Sequence, residues 1–284
     1  MSGPRPGRLL AGGRDAVPGP APEVAPGEPL LPGYRAVQRL AHGRRLDTWD
    51  AYDEERGCRC VVKVVRADRR HEREVVDGVL REGRIVTTLT HPHLVRGYAV
   101  LTDPRAAVVL ETLRGATLAA VVEDGALGVE DTALLGLQLV SVLGYLHRHD
   151  WLHLDLKPGN VVVEHGKAVL LDLSLAARPG AGRPGAGTPG YLAPEQVTGE
   201  GLAPATDVWG LGVLLREALS GEEPTPPARW RARRTAPVRV ASHAPAELAT
   251  LLAACGDPDP AGRPRLVDVR AVLAAYADDG TRLP

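Results

Sequence analysis

The chain has 284 residues, no phenylalanine, three cysteines and a formal net charge of −1, so composition alone excludes a polybasic nucleic-acid binder and a disulfide-framed mini-protein. No run approaches the roughly 18 consecutive apolar residues that suggest a bilayer span, and the N-terminus has neither a signal-peptide core nor a myristoylation glycine at position 2. A cytoplasmic protein with no membrane insertion and no nucleic-acid partner is expected.

Residues 1–32 are crowded with Pro, Gly, Ala and Arg and have no hydrophobic period, which predicts a disordered tail. Ordered structure is expected from residue 33 to residue 279. Short β-type segments are predicted at Tyr34–Arg39, Thr48–Asp53 and Cys60–Val65. Cys58 and Cys60 flank Arg59 on one face of the last of these, with no further ligands at zinc spacing. Arg73–Leu89 reads as a helix, because Val75, Val79, Glu82, Ile85, Val86 and Leu89 recur at helical spacing. Val95–Leu101 and Ala106–Leu110 return to strand. Beyond Gly115 helix dominates: Thr132–Arg148 is apolar almost all round, Val161–Leu171 is a hairpin turning at His165-Gly166, and Thr206–Leu219 is a buried helix stopped by Ser220-Gly221. Arg229, Arg231, Arg233 and Arg234 form a basic patch, read as a solvated loop. Two more helices are expected over Pro245–Ala254 and Leu266–Ala277. This is an α+β protein of two lobes, a small sheet with one helix at 33–110 and a mainly helical part at 116–279, joined by 111–115.

The chemistry concentrates in His153-Leu-Asp-Leu-Lys-Pro-Gly-Asn160 and in Leu171-Asp172-Leu-Ser174. Transfer of a phosphoryl group needs an aimed hydroxyl and neutralised phosphate charge more than it needs covalent help. Asp155 can accept a hydrogen bond from a hydroxyl nucleophile, Lys157 can sit beside the transferring phosphate, and Asn160 with Asp172 can hold magnesium or manganese through hard oxygens. Only Lys63, Lys157 and Lys167 remain as lysines in a chain where arginine has replaced the rest. Two of the three fall in motifs, where a compact ammonium serves a phosphate better than a planar fork does. The Ala, Gly, Pro and Arg bias reads as the imprint of a GC-rich genome.

The order His-x-Asp-x-Lys-x-x-Asn resembles the catalytic loop of protein kinases, of the serine/threonine branch, and the whole of residues 34 to 277 resembles a bacterial, actinomycete-like member. The resemblance implies ATP as cosubstrate and catalytic roles for Asp155, Lys157, Lys63 and Glu82. Lys63 in Val61-Val62-Lys63-Val64 would grip the α and β phosphates. Glu82 would pair with it, Glu72 and Glu74 lying too near the helix start. Leu40 to Thr48 aligns with the Gly-rich phosphate loop, putting Gly43 and Thr48 at the nucleotide, although Ala41 and Leu46 stand where glycines are usual. Leu110-Glu111-Thr112-Leu113 resembles the adenine-binding hinge, with Leu110 guarding the deeper pocket. Val61 and Val162 either pack on the base or are ordinary core.

Gly187-Thr-Pro-Gly-Tyr-Leu-Ala-Pro-Glu195 resembles the end of an activation segment. By resemblance, Thr188 contacts Asp155 and Lys157, Glu195 pairs with Arg263, and Asp207 braces the catalytic-loop backbone. Two departures concern control. Leu154 replaces the arginine that reads a phosphorylated loop, and residues 175–187 contain no Ser, Thr or Tyr. The implied function is an ATP-dependent protein serine/threonine kinase that needs no activation-loop phosphorylation, acting on Ser and Thr of protein substrates. A nucleotide-binding pseudokinase scaffold is the alternative, and a small-molecule kinase a third reading that the Ala-Pro-Glu element disfavours. The chain ends soon after its last helix, so sensing is expected to come through a regulatory partner or the tail.

Overall fold

A computed structural model describes residues 24–225 and 244–277. Within them the chain forms two compact units that divide between Ala116 and Thr117, the first rich in strand and the second in helix, an α+β arrangement. The basic patch at 229–234 lies outside the described residues.

The first unit is a six-stranded sheet in the order β1-β2-β3-β4-β6-β5, antiparallel at every pairing, with one helix. Its strands are β1 (Pro29–Leu31), β2 (Tyr34–His42), β3 (Leu46–Asp53), β4 (Cys58–Val65), β5 (Gly97–Leu101) and β6 (Ala107–Glu111). Strand β1 corrects the boundary expected at residue 32. Pro29 and Leu31 pair with β2, and Leu30 and Leu31 are buried, because two adjacent leucines can cover the sheet's apolar face.

Side chains alternate across each strand. Trp49, Ala51, Cys60, Val62, Val64, Ala107 and Val109 fall into one core cluster, which leaves Thr48, Val61, Lys63 and Leu110 for the opposite face. The β3–β4 turn is closed by Asp53, whose Oδ1 accepts from the amides of Glu55 and Arg56 at 3.1 and 2.9 Å. Helix α1 (Arg73–Thr88) buries Val75, Val79, Ile85 and Val86, as its spacing requires. It approaches β5 so closely that a Cβ on Gly83 would stand 2.6 Å from Val100 Cγ2, and this approach brings the neighbouring Glu82 into the interior.

The division falls within β7 (Ala116–Thr117), and the second unit continues with α2 (Leu118–Asp124), a short helix with no helical period in the sequence, capped by the Thr117 hydroxyl. Then follow α3 (Val129–Arg148), the hairpin β8 (Val161–Glu164) and β9 (Lys167–Leu170), α4 (Pro194–Thr198), α5 (Pro204–Ser220), α6 (Ala246–Cys255) and α7 (Leu266–Ala274). Helix α5 stops at Gly221, whose φ of 72° takes the left-handed conformation that glycine adopts at least cost.

No run of 18 consecutive apolar residues occurs, but one helix is apolar on average. Helix α3 is 20 residues long and apolar enough, by length and composition, to cross a membrane. Its apolarity has a local reason: Leu135, Leu139, Val142, Leu143 and Leu146 are buried, and a Cβ on Gly136 would meet Leu273 of α7 at 2.6 Å. Its polar side chains are also used, Gln138 donating to the Gly166 carbonyl and accepting from the Ala168 amide in the β8–β9 hairpin.

Candidate active site

In the first unit, Lys63 stands opposite Thr48 on β3 and Val108 on β6. Its Nζ donates to Glu82 Oε1 at 2.8 Å, and Glu82 is fully buried, so an ion pair joins β4 to α1. Glu72, the weaker candidate for this role, pairs instead with Arg69 on the surface. Val61 faces Leu110 across β4 and β6 and is 5% exposed. The Glu111 backbone N–H donates to the Arg96 carbonyl and its side chain accepts from the Arg96 amide, so that N–H is not free for an adenine base. Leu113 lies just beyond, largely buried.

The turn between β2 and β3 has features that the sequence did not suggest. Gly43 N–H donates to the Leu46 carbonyl at 2.9 Å, and a Cβ at Gly43 would stand 2.9 Å from that same oxygen. Arg66, just past β4, donates to the Gly43 carbonyl at 3.1 Å and to His42 Nε2 at 2.9 Å. His42 Nδ1 meets Asp47 Oδ1 at 2.6 Å. Accepting from an arginine requires a lone pair on Nε2, so the ring carries its proton on Nδ1 and donates it to Asp47. The turn that lacks two of the usual glycines is therefore pinned by side chains.

In the second unit, the loop between α3 and β8 is braced from below. Asp207, in the first turn of α5, accepts from the amides of His153 and Leu154 at 2.9 Å each and meets His147 Nε2 at 2.8 Å. These bonds hold Leu154 at a φ of 66°, a region non-glycine residues seldom occupy. His153 is fully buried; its Nδ1 accepts from the Asp155 amide and its Nε2 donates to the Leu171 carbonyl, which fixes the neutral tautomer.

Around Asp155 three side chains meet, those of Thr188, Lys157 and Asn160. Thr188 Oγ1 donates to Asp155 Oδ1 at 2.7 Å and itself accepts from Lys157 Nζ at 2.7 Å. Lys157 Nζ also lies 3.2 Å from Asp155 Oδ2. Asn160 Nδ2 donates to the Asp155 carbonyl at 2.8 Å and to its carboxylate at 3.0 Å. A carboxylate so surrounded by donors is held in one orientation.

Asn160 and Asp172 are brought together by the hairpin. Asn160 immediately precedes β8 and Asp172 follows β9 by two residues, Val161 pairs with Leu170, and the Leu171 amide donates to the Asn160 carbonyl at 2.8 Å. Asp172 has a φ of 49°, and its Oδ1 accepts from the Ser174 amide at 3.1 Å. With both Nδ2 contacts made to Asp155, the amide of Asn160 keeps its oxygen for another partner. An amide oxygen and a carboxylate are the hard donors that suit magnesium, which keeps much of its water. No cluster of three His, Cys, Asp or Glu side chains competes for a metal among the described residues. Val162 is fully enclosed and in this structure is core.

Farther from Asp155, Arg263 Nη1 and Nη2 donate to the two oxygens of Glu195 at 2.6 and 2.9 Å, in a buried fork that also stacks on Trp209. Tyr191 donates its hydroxyl to Glu217. Burial raises Glu217 to about 7, the Tyr191 hydrogen bond opposing and Glu223 adding to the rise. Sequence reasoning missed Glu217, His147 and Gln196, which carry no motif spacing of their own, and the His42, Asp47 and Arg66 set, whose arginine lies 24 residues from His42.

A family model described as the protein kinase domain matches residues 34–271. Over 201 residues the chain is 32% identical to the SNF1-related protein kinase catalytic subunit alpha KIN12 of Arabidopsis thaliana, which covers 69% of this chain and 41% of that protein. It is 31% identical over 204 residues to the serine/threonine-protein kinase PknA of Mycobacterium tuberculosis, with 67% and 47% covered. The probable serine/threonine-protein kinase PknB of Bifidobacterium longum is 29% identical over 210 residues, with 67% and 30% covered. The chain thus spans less than half the length of these curated relatives.

Proposed function

Because this chain belongs to the protein kinase family, we propose that it transfers the γ-phosphate of ATP to Ser and Thr hydroxyls of protein substrates, without activation-loop phosphorylation. The observation that carries the reading is the set of contacts on Asp155. One carboxylate oxygen meets Thr188 and the other meets Asn160 and Lys157, so the group is aimed where a hydroxyl needs an acceptor. Lys157, shared with Thr188, supplies positive charge for the phosphoryl group in flight. Lys63, held by Glu82, grips the α and β phosphates. Gly43, Thr48, Val61, Leu110, Glu111 and Leu113 belong to the nucleotide site in this reading, Glu111 through its carbonyl side, while Val162 is core. Asn160 and Asp172 would hold magnesium or manganese, which would neutralise phosphate charge. Thr188, Glu195, Asp207 and Arg263 hold the loops in place.

The absence of Ser, Thr and Tyr from residues 175–187, with Leu154 in place of an arginine, supports independence from loop phosphorylation. We assign the protein to the cytoplasm, in a bacterium of GC-rich genome, with a regulatory partner. A pseudokinase scaffold is favoured by one feature, the side-chain lock on a turn that retains only Gly43.

The test is transfer of label from ATP with magnesium to a generic protein substrate, beside Asp155→Asn and Lys63→Ala. Transfer that both substitutions abolish, and that survives phosphatase treatment of the protein, supports the kinase reading. Saturable nucleotide binding with no transfer above the variants overturns it in favour of the scaffold.

A further inference from the structure

Regulated loops are commonly ordered by pairing a new phosphate with arginine. In this chain no hydroxyl that could carry the phosphate lies between Ser174 and Thr188, and Leu154 stands where the arginine that would read it is usual, yet the segment is bonded along its length. Backbone bonds run from Gly180 to Leu202, from Gly182 to Gly199 and from Gly185 to Gln196. These fix the segment to α4 and the stretch after it. Ala177 and Leu152 exchange backbone bonds that fasten the start of the segment just before the catalytic loop, but among the described residues no backbone bond from 178–187 reaches residues 153–160.

Besides Thr188, a second side chain does. Gln196, on α4 and 5% exposed, donates from Nε2 to the Leu154 carbonyl at 2.8 Å and to the Ala186 carbonyl at 3.1 Å. Its Oε1 accepts from the Ala193 amide at 3.1 Å, which fixes which end of the amide is nitrogen. A single buried amide thus joins the residue before Asp155, the residue two before Thr188, and the start of α4. The fit is close: a Cβ on Gly187 would stand 3.3 Å from Gln196 Nε2 and 3.4 Å from the Leu154 carbonyl. Leu154 sits in the left-handed region, so its carbonyl points where a right-handed backbone would not send it, and Gln196 is the donor that meets it. The same small cavity is lined by Leu154, Asp155, Thr188 and Gln196.

We propose that Gln196 is the positioning residue that ties the activation segment to the catalytic loop, replacing the phosphate-to-arginine contact with a permanent neutral one. This rests on the kinase reading above. Through the tether, Thr188 is held on Asp155 and Lys157 without any modification. A neutral amide with two donors serves two carbonyls in a buried place where a charge would be costly to desolvate.

The test uses the full chain with Gln196→Met, which removes all three bonds at similar volume, and Gln196→Glu, which keeps the acceptor and loses the donors. In Gln196→Met, kcat falls about 100-fold, as misplacement of a reacting group can cause, the KM for protein substrate rises, and the KM for ATP is unchanged. Amide exchange at Gly185 and Ala186 becomes faster. In Gln196→Glu the loss relative to wild type shrinks as pH falls, because a protonated carboxyl regains one donor. Unchanged kcat in both variants overturns the proposal, and so does a fall in kcat without faster exchange. If the wild type transfers no phosphate, the kinase reading fails by itself. Exchange at Gly185 and Ala186 in Gln196→Met then decides the tether, unchanged exchange overturning it.

Discussion

Thr188 donates its hydroxyl to Asp155 at 2.7 Å while receiving Lys157 at the same distance, so one hydroxyl sits between the acid and the base of the site. This geometry separates two substitutions that look alike. Thr188→Ser keeps the hydroxyl and retains transfer to within a few-fold, whereas Thr188→Val keeps the shape, leaves Asp155 and Lys157 without their shared partner, and lowers kcat by about 100-fold. Steady-state kinetics at saturating ATP checks both.

Lys63 and Glu82 are coupled through a 2.8 Å contact with the carboxylate fully buried. In a double-mutant cycle of Lys63→Met and Glu82→Gln, a coupling energy of between about 1 and 3 kcal/mol is expected. The single Lys63→Met change is the more damaging to stability, since it leaves a buried carboxylate without its lysine. Urea denaturation of the four proteins measures the cycle.

The fork between Arg263 and Glu195 is buried on both sides. Arg263→Leu leaves the Glu195 charge in the interior and costs about 3–5 kcal/mol. Arg263→Lys recovers little of it, because an ammonium cannot span both carboxylate oxygens and also reach the Ala205 and Asp257 carbonyls. Denaturant midpoints distinguish the two variants.

Glu217 supplies a pH dependence. Its folded value of about 7 lies above its ordinary 4.5, with burial the main cause, so the folded protein binds more protons between those values. Its contribution to stability is present at low pH, falls as pH rises through that window, and is flat above it. Glu217→Gln removes this component. Unfolding measured from about pH 5 to about pH 8 then shows the Gln variant gaining on the wild type as pH rises, with most of the gain below about pH 7.

Much of the fold was legible because period and turn chemistry act locally. The alternation of β4 separated Val62 and Val64 from Lys63 before any partner strand was known, and Ser220-Gly221 announced the end of α5. Elements whose burial depends on others were not legible. Strand β1 is three residues long and has meaning only against β2, and α2 is held by its Thr117 cap and by packing. Helix α3 illustrates the same limit, since its composition fits a bilayer and a protein interior equally and only Leu273, Leu215 and the polar contacts of Gln138 distinguish them.

At the site, the amino-acid sequence by itself determined which functional groups exist and in what order: a carboxylate at 155, an ammonium at 157, hard oxygens at 160 and 172, and no hydroxyl between 174 and 188. Only the tertiary structure decided which atoms meet. Gln196 lies 42 residues from Leu154, and Arg66 lies 24 from His42, so no local pattern could announce either contact. The reason is physical. Periodicity records which face of an element is buried, but a hydrogen bond between distant segments depends on backbone direction, as at the positive φ of Leu154, and on side chains meeting within a few tenths of an ångström.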